Sequence, residues 1–287
     1  MSGDERRKWI ESMDVEMSDL VEREAFELVS RDDVLKSGQR VVKSMWAFRL
    51  KRKPDGTPSR YKARLVVRGD LQKQFYDFHQ NETFAPVVEW STVRMLFSLG
   101  VLDDWKTASI DFKSAFTQGQ LPEPIYLELP PGYQKANPHL ADKVMKITTS
   151  LYGDQRAANL WYNKIRKSLE DDLGFKCSDF DPCLFIRHDC ILCLYVDDAI
   201  LHATDDAAIE SVLKAIKDAG YAFSRDESFS SCLGVLVEHM ADGTKKLSQP
   251  GLTKQLLEVM GLSDCNAART PIAEPLFNYP DSQPHNH

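Results

Sequence analysis

Two adjacent aspartates, Asp197 and Asp198, lie inside an otherwise apolar run that spans residues 191–203. The run has the length of two short strands, which places the aspartates at the turn between them. Tight hairpin turns favour Asn-Gly or Asp-Gly, because those residues adopt positive φ at low cost. Two like charges beside apolar strands also lose hydration and repel each other unless a cation compensates them. The pair therefore indicates either a solvated surface turn or a site for a hard divalent cation.

A third carboxylate, Asp111, follows another apolar run at 105–110. Hydrophobic periodicity predicts these elements in order: strand 105–110, a helix with Trp161, Ile165, Leu169 and Leu173 on one face, strands 183–186 and 191–195, a helix with Ile209, Val212, Leu213 and Ile216 on one face, and strand 221–224. This is the split βαβ pattern, an α+β fold in which an antiparallel sheet is backed by two helices. In that arrangement Asp111 and the Asp197–Asp198 pair meet at one end of the sheet.

Three converging carboxylates can hold two divalent cations about 3.5–4 Å apart, which suits an in-line phosphoryl displacement. One cation activates a primer 3′-hydroxyl, and the other neutralises the leaving pyrophosphate. Because this type of sheet hosts many unrelated functions, the inference depends on the carboxylates and not on the fold. A metal-dependent nuclease that uses the same three carboxylates is the alternative from a different class.

Basic residues dominate the segment 40–68, in which a turn signal at Pro54-Asp55-Gly56 separates two β-prone stretches, 45–50 and 61–67. Alternation places Lys62, Arg64 and Arg68 along one side of the second predicted strand. Such a basic hairpin is either a solvated edge strand that charge protects from aggregation or a contact for a polyphosphate or nucleic-acid backbone.

The other predicted elements are a charged surface helix within residues 1–40, with Trp9, Ile10, Met13, Met17 and Leu20 at helical spacing, and a helix that Ser91 begins as N-cap. The proline-rich segment 121–132 is predicted to be an extended excursion away from the core. A strand at 143–147 follows it, and the chain continues with strand 231–238 and a helix at 253–260.

The composition is that of a globular protein: 287 residues, 43% hydrophobic, 28% charged and a net charge of −7. The charge excludes a surface that is basic everywhere, but it permits a local basic groove. The first residues lack the apolar core of a secretory signal, and no run has the apolar length to span a bilayer, which predicts an intracellular protein. Cys190 and Cys193 form a lone CxxC on a predicted strand; their side chains point to opposite faces, which predicts reduced, buried thiols.

An ordered set of motifs resembles the reverse transcriptase domain of copia-type LTR retrotransposon Pol polyproteins. The resemblance runs from about Trp9 to Pro271. The motifs are Lys62-Ala63-Arg64-Leu65-Val66-Val67-Arg68-Gly69, Phe84-Ala85-Pro86-Val87-Val88, Asp111-Phe112-Lys113-Ser114-Ala115-Phe116, Ser150-Leu151-Tyr152-Gly153, Tyr195-Val196-Asp197-Asp198, Leu233-Gly234 and Leu247-Ser248-Gln249.

The resemblance implies a right-hand polymerase fold with fingers and a palm that is the split βαβ sheet. It implies that Asp111, Asp197 and Asp198 are the catalytic aspartates, which bind two Mg²⁺ or Mn²⁺ ions together with the backbone carbonyl of Phe112. The residues that it assigns to dNTP binding are Lys62, Arg64, Arg68, Ala115, Phe116 and Gly153, with Phe116 as the bulky residue that excludes a 2′-hydroxyl. Leu233 and Gly234 take the primer-grip position.

The resemblance also implies that residues 1–270 are the fingers, the palm and the start of a thumb, and that 271–287 are a disordered tail without RNase H or integrase. The implied partners are an RNA or DNA template with its primer, dNTPs, and other retrotransposon Pol or Gag products, with no membrane. The implied compartment is the cytoplasm, within a virus-like particle, with the nucleus as a second location and no secretion. The oligomeric state stays open.

One segment departs from the family pattern. After Ser-Leu-Tyr-Gly the family continues Leu-Lys-Gln-Ala/Ser-Pro-Arg-Ala-Trp, whereas this chain has Asp154-Gln155-Arg156-Ala157-Ala158-Asn159-Leu160-Trp161. The usual lysine and proline are missing, and Asp154 is expected to add negative charge near the template–nucleotide pocket. The alternative to a working RNA-directed DNA polymerase is therefore a truncated or decayed relic, which keeps the fold and binds nucleic acid without efficient polymerisation.

Overall fold

The computed structural model describes residues 3–52, 58–74, 77–226, 229, 231–232 and 235–266. The chain divides into two compact units, Met1–Leu233 and Gly234–His287. The helices of the described residues are α1 (Gly3–Glu22), α2 (Arg31–Lys36), α3 (Trp90–Leu102), α4 (Tyr133–Ala136), α5 (Ala157–Lys167), α6 (Asp206–Asp218) and α7 (Pro250–Val259). Helix and strand are both abundant, so the predicted α+β class is confirmed.

The strands of the described residues are β1 (Phe26–Ser30), β2 (Val41–Val42), β3 (Ser44–Arg52), β4 (Pro58–Val67), β5 (Lys106–Phe112), β6 (Gln120–Glu128), β7 (Lys143–Thr149), β8 (Lys176–Cys177), β9 (Leu184–Ile186), β10 (Cys190–Tyr195), β11 (Asp198–Ala203), β12 (Phe223–Asp226), β13 (Ser231–Cys232), β14 (Val235–His239) and β15 (Lys245–Ser248). The predicted turn at 54–56 and the predicted tail at 271–287 lie outside the described residues.

The largest sheet has six strands in the order β12-β5-β11-β10-β9-β8. Its pairs are all antiparallel, and β5 lies between β12 and the β10–β11 hairpin. The turn of that hairpin carries the aspartate pair. The predicted strand 183–186 is β9, which lies on the far side of β10 and does not contribute to the hairpin next to β5. The order of the elements along the chain predicted that β9 lies one strand closer to the aspartates than it does in the sheet.

Three helices pack around this sheet. The side chains predicted to share a helical face are buried, including Trp161 and Ile165 on α5 and Val212 and Ile216 on α6. After α5 the backbone continues in a π-helical turn, Ser168–Asp172, which the apolar spacing did not reveal. On α3, Phe97 lies edge-on to His202 of β11, with 5.8 Å between ring centres.

The predicted N-cap of α3 is wrong. The helix begins at Trp90, with Glu89 as N-cap, so Ser91 already lies inside it. The carboxylate of Asp181 accepts hydrogen bonds from the Glu89 N–H (3.1 Å) and the Thr92 hydroxyl (2.7 Å). A residue about ninety positions away therefore supplies the acceptor that Ser91 was expected to supply.

A second sheet has the strand order β1-β7-β6-β2. The prediction that residues 121–132 lead away from the core is wrong, because β6 pairs with β7 and its Leu127 is fully buried. The pairing shifts register between Gln120 and Ile125, and Pro122 and Pro124 lie within that irregularity. Proline lacks an N–H group, and an irregular stretch of a ladder tolerates this loss.

The basic segment forms the antiparallel hairpin β3–β4, as predicted, with Ser44 opposite Val67 and Arg49 opposite Lys62. Helix α1 packs against β4, and Met17 and Leu20 of the helix join the buried cluster that contains Leu65 and Val67. In the second unit, β14 and β15 form an antiparallel hairpin, followed by α7. None of the helices in the described ranges is long and apolar enough to cross a membrane.

Candidate active site

Two aspartates face each other across neighbouring strands of the six-stranded sheet. In the register of β5 and β11, Asp198 pairs with Asp111, the residue before the end of β5. Asp197 precedes Asp198 in the hairpin turn, and its carbonyl oxygen accepts a hydrogen bond of 2.7 Å from the Phe112 N–H. This bond extends the ladder of β5 and β11 by one position into the turn. The three carboxylates therefore share one end of the sheet.

The turn itself has an unusual backbone. Val196 and Asp197 form a two-residue loop between the paired Tyr195 and Asp198, and Val196 has a φ of 56°. Glycine normally occupies such a position, because the left-handed region costs an L-residue about 1–2 kcal/mol. The indole N–H of Trp161 donates a hydrogen bond of 2.5 Å to the Val196 carbonyl. Helix α5 therefore helps to hold the turn in this conformation.

Negative charge is poorly compensated in the turn. Burial raises the pKa of Asp197, and the nearby Asp111 raises it further. Burial also raises the pKa of Asp198, to about 6, with additional contributions from the charges of Asp197 and Asp111. The hydroxyl of Ser224 on β12 lies 3.5 Å from an Asp111 carboxylate oxygen, at the limit of a hydrogen bond.

The donor set suits a hard divalent cation, because carboxylate and carbonyl oxygens are the ligands that Mg²⁺ and Mn²⁺ prefer. Their mutual repulsion is the condition that a cation would relieve. Among the described residues, however, no three acidic, histidine or cysteine side chains are gathered closely enough to form a metal-ion cluster. Metal ligation by these residues therefore remains a prediction.

A basic and aromatic cluster lies on the strand β4 and the segment 150–153. The guanidinium of Arg64 stacks on the ring of Tyr152 at 3.8 Å from its centre, and Phe116 contacts the same ring edge-on at 5.5 Å. The Val67 N–H donates to the Tyr152 carbonyl oxygen (2.8 Å). The charges of Arg64 and Lys62 oppose the effect of burial on the pKa of Asp197. Positive side chains of β4 therefore act electrostatically on the aspartate turn.

The residues after β5 are fixed by Ser150, whose side chain is fully buried. Its hydroxyl donates to the Phe116 carbonyl oxygen (2.5 Å), and its N–H donates to the Gly119 carbonyl oxygen (2.7 Å). Ala115, one residue before Phe116, is buried in a 3₁₀ turn. Ser150 thereby ties the position of Phe116 to the segment that carries Tyr152.

Comparison with known proteins assigns the family. The profile described as reverse transcriptase (RNA-dependent DNA polymerase) matches residues 23–274, which is most of the chain. The chain belongs to the reverse transcriptase family. The enzyme class and the copia-type relationship inferred from the motifs are confirmed at this level.

The relatives of this reverse transcriptase domain are retrotransposon polyproteins. It is 32% identical over 280 residues to the retrovirus-related Pol polyprotein from transposon TNT 1-94 of Nicotiana tabacum, covering 95% of this chain and 20% of the relative. The identity to the Pol polyprotein from transposon RE2 of Arabidopsis thaliana is 30%, covering 81% and 16%. For the Ty1-LR2 Gag-Pol polyprotein of Saccharomyces cerevisiae it is 28%, covering 74% and 12%. The chain thus spans a fifth or less of the length of these relatives.

Not every predicted site residue of the reverse transcriptase domain joins the same cluster. Lys62 and Arg64 lie on the partly exposed side of β4, whereas Arg68 follows the end of the strand. The guanidinium of Arg68 is held by the carboxylate of Asp70 at 2.7 and 2.6 Å. Gly153 has a φ of 86° and lies against the Val67 carbonyl. Leu233 and Gly234, the predicted primer grip, lie outside the described residues.

Asp154, in the segment 154–161 that departs from the family pattern, does not carry the free negative charge that was predicted for it. The Asp154 side chain is fully buried and bonds the Arg156 guanidinium, with two nitrogen–oxygen distances of 3.2 Å. The Arg156 N–H also donates to this carboxylate (2.9 Å). The charges of Asp154 and Arg156, two residues that differ from the family pattern, therefore neutralise each other inside the protein. Asp154 does not support the interpretation of the chain as a relic.

Sequence reasoning missed three residues that organise this region: Ser150, Tyr152 and Trp161. Ser150 and Tyr152 were identified only as members of the Ser-Leu-Tyr-Gly motif. Trp161 was identified only as an apolar position of a predicted helix. Their hydrogen bonds and ring contacts join segments far apart in the chain, which no local pattern reveals.

Proposed function

We propose that this chain is an RNA-directed DNA polymerase domain that adds dNTPs to a primer 3′-hydroxyl during retrotransposon replication. The observation that carries the proposal is the position of Asp198 opposite Asp111, with Asp197 bonded to the backbone of Phe112. Membership of the reverse transcriptase family supports it. The six-stranded sheet would be the palm, the β3–β4 hairpin would belong to the fingers, and residues 1–270 would reach the start of the thumb.

In the proposed reaction, Asp111, Asp197 and Asp198, with the carbonyl of Phe112, would hold two Mg²⁺ or Mn²⁺ ions. When bound, these ions favour ionisation of the 3′-hydroxyl and stabilise the charge that develops on the phosphates. The 3′-oxygen forms a bond to the α-phosphorus of the dNTP, and the bond to the leaving pyrophosphate breaks. Burial and mutual repulsion raise the pKa values of Asp197 and Asp198, and a bound cation would relieve this repulsion.

The remaining assignments concern the incoming nucleotide and the nucleic acid. Lys62 and Arg64, with Arg68, would bind the triphosphate, because guanidinium and ammonium groups donate charge-assisted hydrogen bonds to phosphate oxygens. Phe116 would exclude a 2′-hydroxyl, Ala115 would also belong to the dNTP-binding site, Gly153 would pack on the nascent base pair, and Leu233 and Gly234 would grip the primer. The partners would be a template with its primer, dNTPs, and Pol or Gag products, in a cytoplasmic virus-like particle or the nucleus.

Primer extension on an RNA template tests the proposal. Wild-type protein, Asp197→Asn and the exposed control Asp179→Asn are compared with dNTPs and either Mg²⁺ or Mn²⁺. We expect metal-dependent extension by wild type and control, and its loss in Asp197→Asn. Metal-dependent shortening of an end-labelled strand without extension would indicate a nuclease. Retained hybrid binding by folded protein without extension would indicate a relic.

A further inference from the structure

The free edge of β4 is bonded by side chains of the N-terminal helix. One edge of β4 pairs with β3. On the other edge, the Ser12 hydroxyl accepts from the Ala63 N–H (2.7 Å) and donates to the Tyr61 carbonyl (3.1 Å). One turn later in α1, the Glu16 carboxylate accepts from the Leu65 N–H (3.3 Å). The edge is therefore covered by a helix, which excludes the solvated edge strand as the description of β4.

The spacing of the two elements explains why a helix can take the place of a strand here. Four residues of an α-helix rise about 6 Å, and two residues of a strand rise about 6.7 Å. The step from Ser12 to Glu16 along α1 therefore matches the step from Ala63 to Leu65 along β4. Each turn of the helix presents one polar side chain to the next outward-facing backbone group of the strand.

Apolar contacts fix the helix in this register. Trp9 packs edge-on against Phe48 of β3 and Tyr61 of β4, with 5.0 and 4.7 Å between ring centres. At the other end, Met17 and Leu20 enter the buried cluster that contains Leu65 and Val67. The polar clamp of Ser12 and Glu16 thus lies between two apolar anchors, and lateral movement of β4 would disturb all three.

The same strand carries the proposed triphosphate ligands. Ala63 and Leu65 point into the core, whereas Lys62 and Arg64 alternate with them on the partly exposed side. Beyond the clamp, the Val67 N–H bonds the Tyr152 carbonyl, and Arg64 stacks on the Tyr152 ring. Strand β4 is therefore held on one edge by α1 and by the segment that carries Tyr152.

We infer that Ser12 and Glu16 are positioning residues for nucleotide binding, which hold the backbone of β4 so that Lys62 and Arg64 present their charges to the triphosphate. This inference rests on the proposed function. Helix α1 precedes residue 23, where the match to the family profile begins, so the profile assigns it no role. On this inference, α1 contributes to the nucleotide site by holding the backbone of β4.

Glu16 is suited to a test by conservative substitution. Burial raises the pKa of its carboxyl group, while the Leu65 N–H and the charges of Arg64 and Lys62 oppose this shift. The bond to Leu65 needs only an acceptor oxygen, which a glutamine amide also provides. Glu16→Gln should therefore keep the clamp, whereas Glu16→Ala should release it.

Two measurements on the full chain test the inference. Hydrogen exchange, read by mass spectrometry on peptides of β4, reports the clamp without any need for catalysis. Equilibrium dialysis of radiolabelled dTTP, with protein bound to an RNA template and a chain-terminated primer, reports nucleotide affinity without bond formation. The variants are Glu16→Ala, Glu16→Gln, the milder Ser12→Ala, and the exposed α1 control Asp14→Ala.

We expect Glu16→Ala and Ser12→Ala to accelerate exchange in β4 and to raise the Kd for dTTP about threefold to tenfold, the usual effect of one lost hydrogen bond. Asp14→Ala should match wild type in both measurements, whereas Glu16→Gln, which keeps the acceptor oxygen but removes a negative charge near Arg64 and Lys62, should match wild type in exchange and bind dTTP at least as tightly. Unchanged exchange in Glu16→Ala and Ser12→Ala, or faster exchange with unchanged dTTP affinity, would overturn the inference. If wild type itself binds no dTTP while exchange responds as expected, the proposed function fails and α1 has a structural role only.

Discussion

Gly69 and Gly153 touch through their backbones at a point where neither residue could carry a side chain without displacement. A β-carbon on Gly69 would lie 2.1 Å from the Gly153 carbonyl oxygen, and one on Gly153 would lie 2.2 Å from the Val67 carbonyl oxygen. The contact joins the end of β4 to the segment that carries Tyr152. It therefore sets how closely the basic strand approaches the aromatic residues of the candidate site.

Alanine substitutions at these two glycines should be strongly destabilising. Gly69→Ala introduces a steric clash alone, whereas Gly153→Ala adds the cost of a φ of 86°. We expect each to lower the free energy of unfolding by at least about 2 kcal/mol, with the larger loss for Gly153→Ala. Urea denaturation followed by circular dichroism measures both.

Two other glycines distinguish the effect of a steric clash from the cost of a positive φ. Gly38 has a φ of 78° but open space around it, so Gly38→Ala should cost only about 1 kcal/mol. Gly251 has neither a positive φ nor a close neighbour, so Gly251→Ala should be nearly neutral. A Gly69→Ala protein as stable as Gly251→Ala would contradict the close contact.

Replacing one member of the buried Asp154–Arg156 pair should lower the free energy of unfolding far more than replacing both members together. Asp154→Leu or Arg156→Gln alone leaves one buried charge without its partner, and we expect each to lower stability by about 3–5 kcal/mol. The double variant restores the family's residue types and should be much less destabilised than the sum of the two losses. Thermal unfolding of all four proteins completes the cycle, and additive losses would argue against the pair.

The proposed catalytic aspartates should reduce the stability of the metal-free protein. Because burial and neighbouring carboxylates raise the pKa of Asp198 to about 6, its ionised form at pH 7 opposes folding. We expect Asp198→Asn to be more stable than wild type by about 1 kcal/mol in EDTA, a value reduced because the side chain is partly exposed. Differential scanning calorimetry measures the difference, and adding Mg²⁺ should stabilise wild type more than the variant. A variant less stable than wild type in EDTA would refute the assumed repulsion.

The described cysteines should differ sharply in reactivity. Burial raises the pKa values of the Cys183 and Cys190 thiols to about 12, and Cys193 is buried beside them in the sheet, whereas Cys265 is exposed. Because the thiolate is the reactive form, iodoacetamide at pH 8 should label Cys265 first. Labelling of a Cys232→Ser protein, mapped by mass spectrometry, tests this. Fast native labelling of Cys190 would contradict the buried packing.

Structural features that depend on residues close together in the chain were predictable from the sequence. The alternation of Lys62 and Arg64 with buried Ala63 and Leu65 follows from the period of a strand, and the structure confirms it. The order of strands and helices was sufficient to bring Asp111 to Asp198, because a split βαβ arrangement leaves few alternatives for the first strand.

Long-range partners were not predictable in the same way. The N-cap of α3 depends on Asp181, and the pairing of Asp154 with Arg156 depends on burial of an irregular segment that has no periodicity. Helical spacing identified the apolar residues of α1, but it could not show that Ser12 and Glu16 bond the backbone of a strand about fifty residues away. The proline-rich strand β6 was wrongly predicted to lead away from the core. The register shift that accommodates its prolines arises from its pairing with β7 and is not visible in the sequence of β6 alone.

The buried ion pair after Gly153 also constrains the history of the gene. The family pattern has leucine and glutamine where this chain has Asp154 and Arg156, so two codons differ together. Replacing either residue alone would leave the other buried charge without its partner. We therefore expect the two positions to change together in folded relatives, and a copy that has lost only one member of the pair to encode a less stable protein.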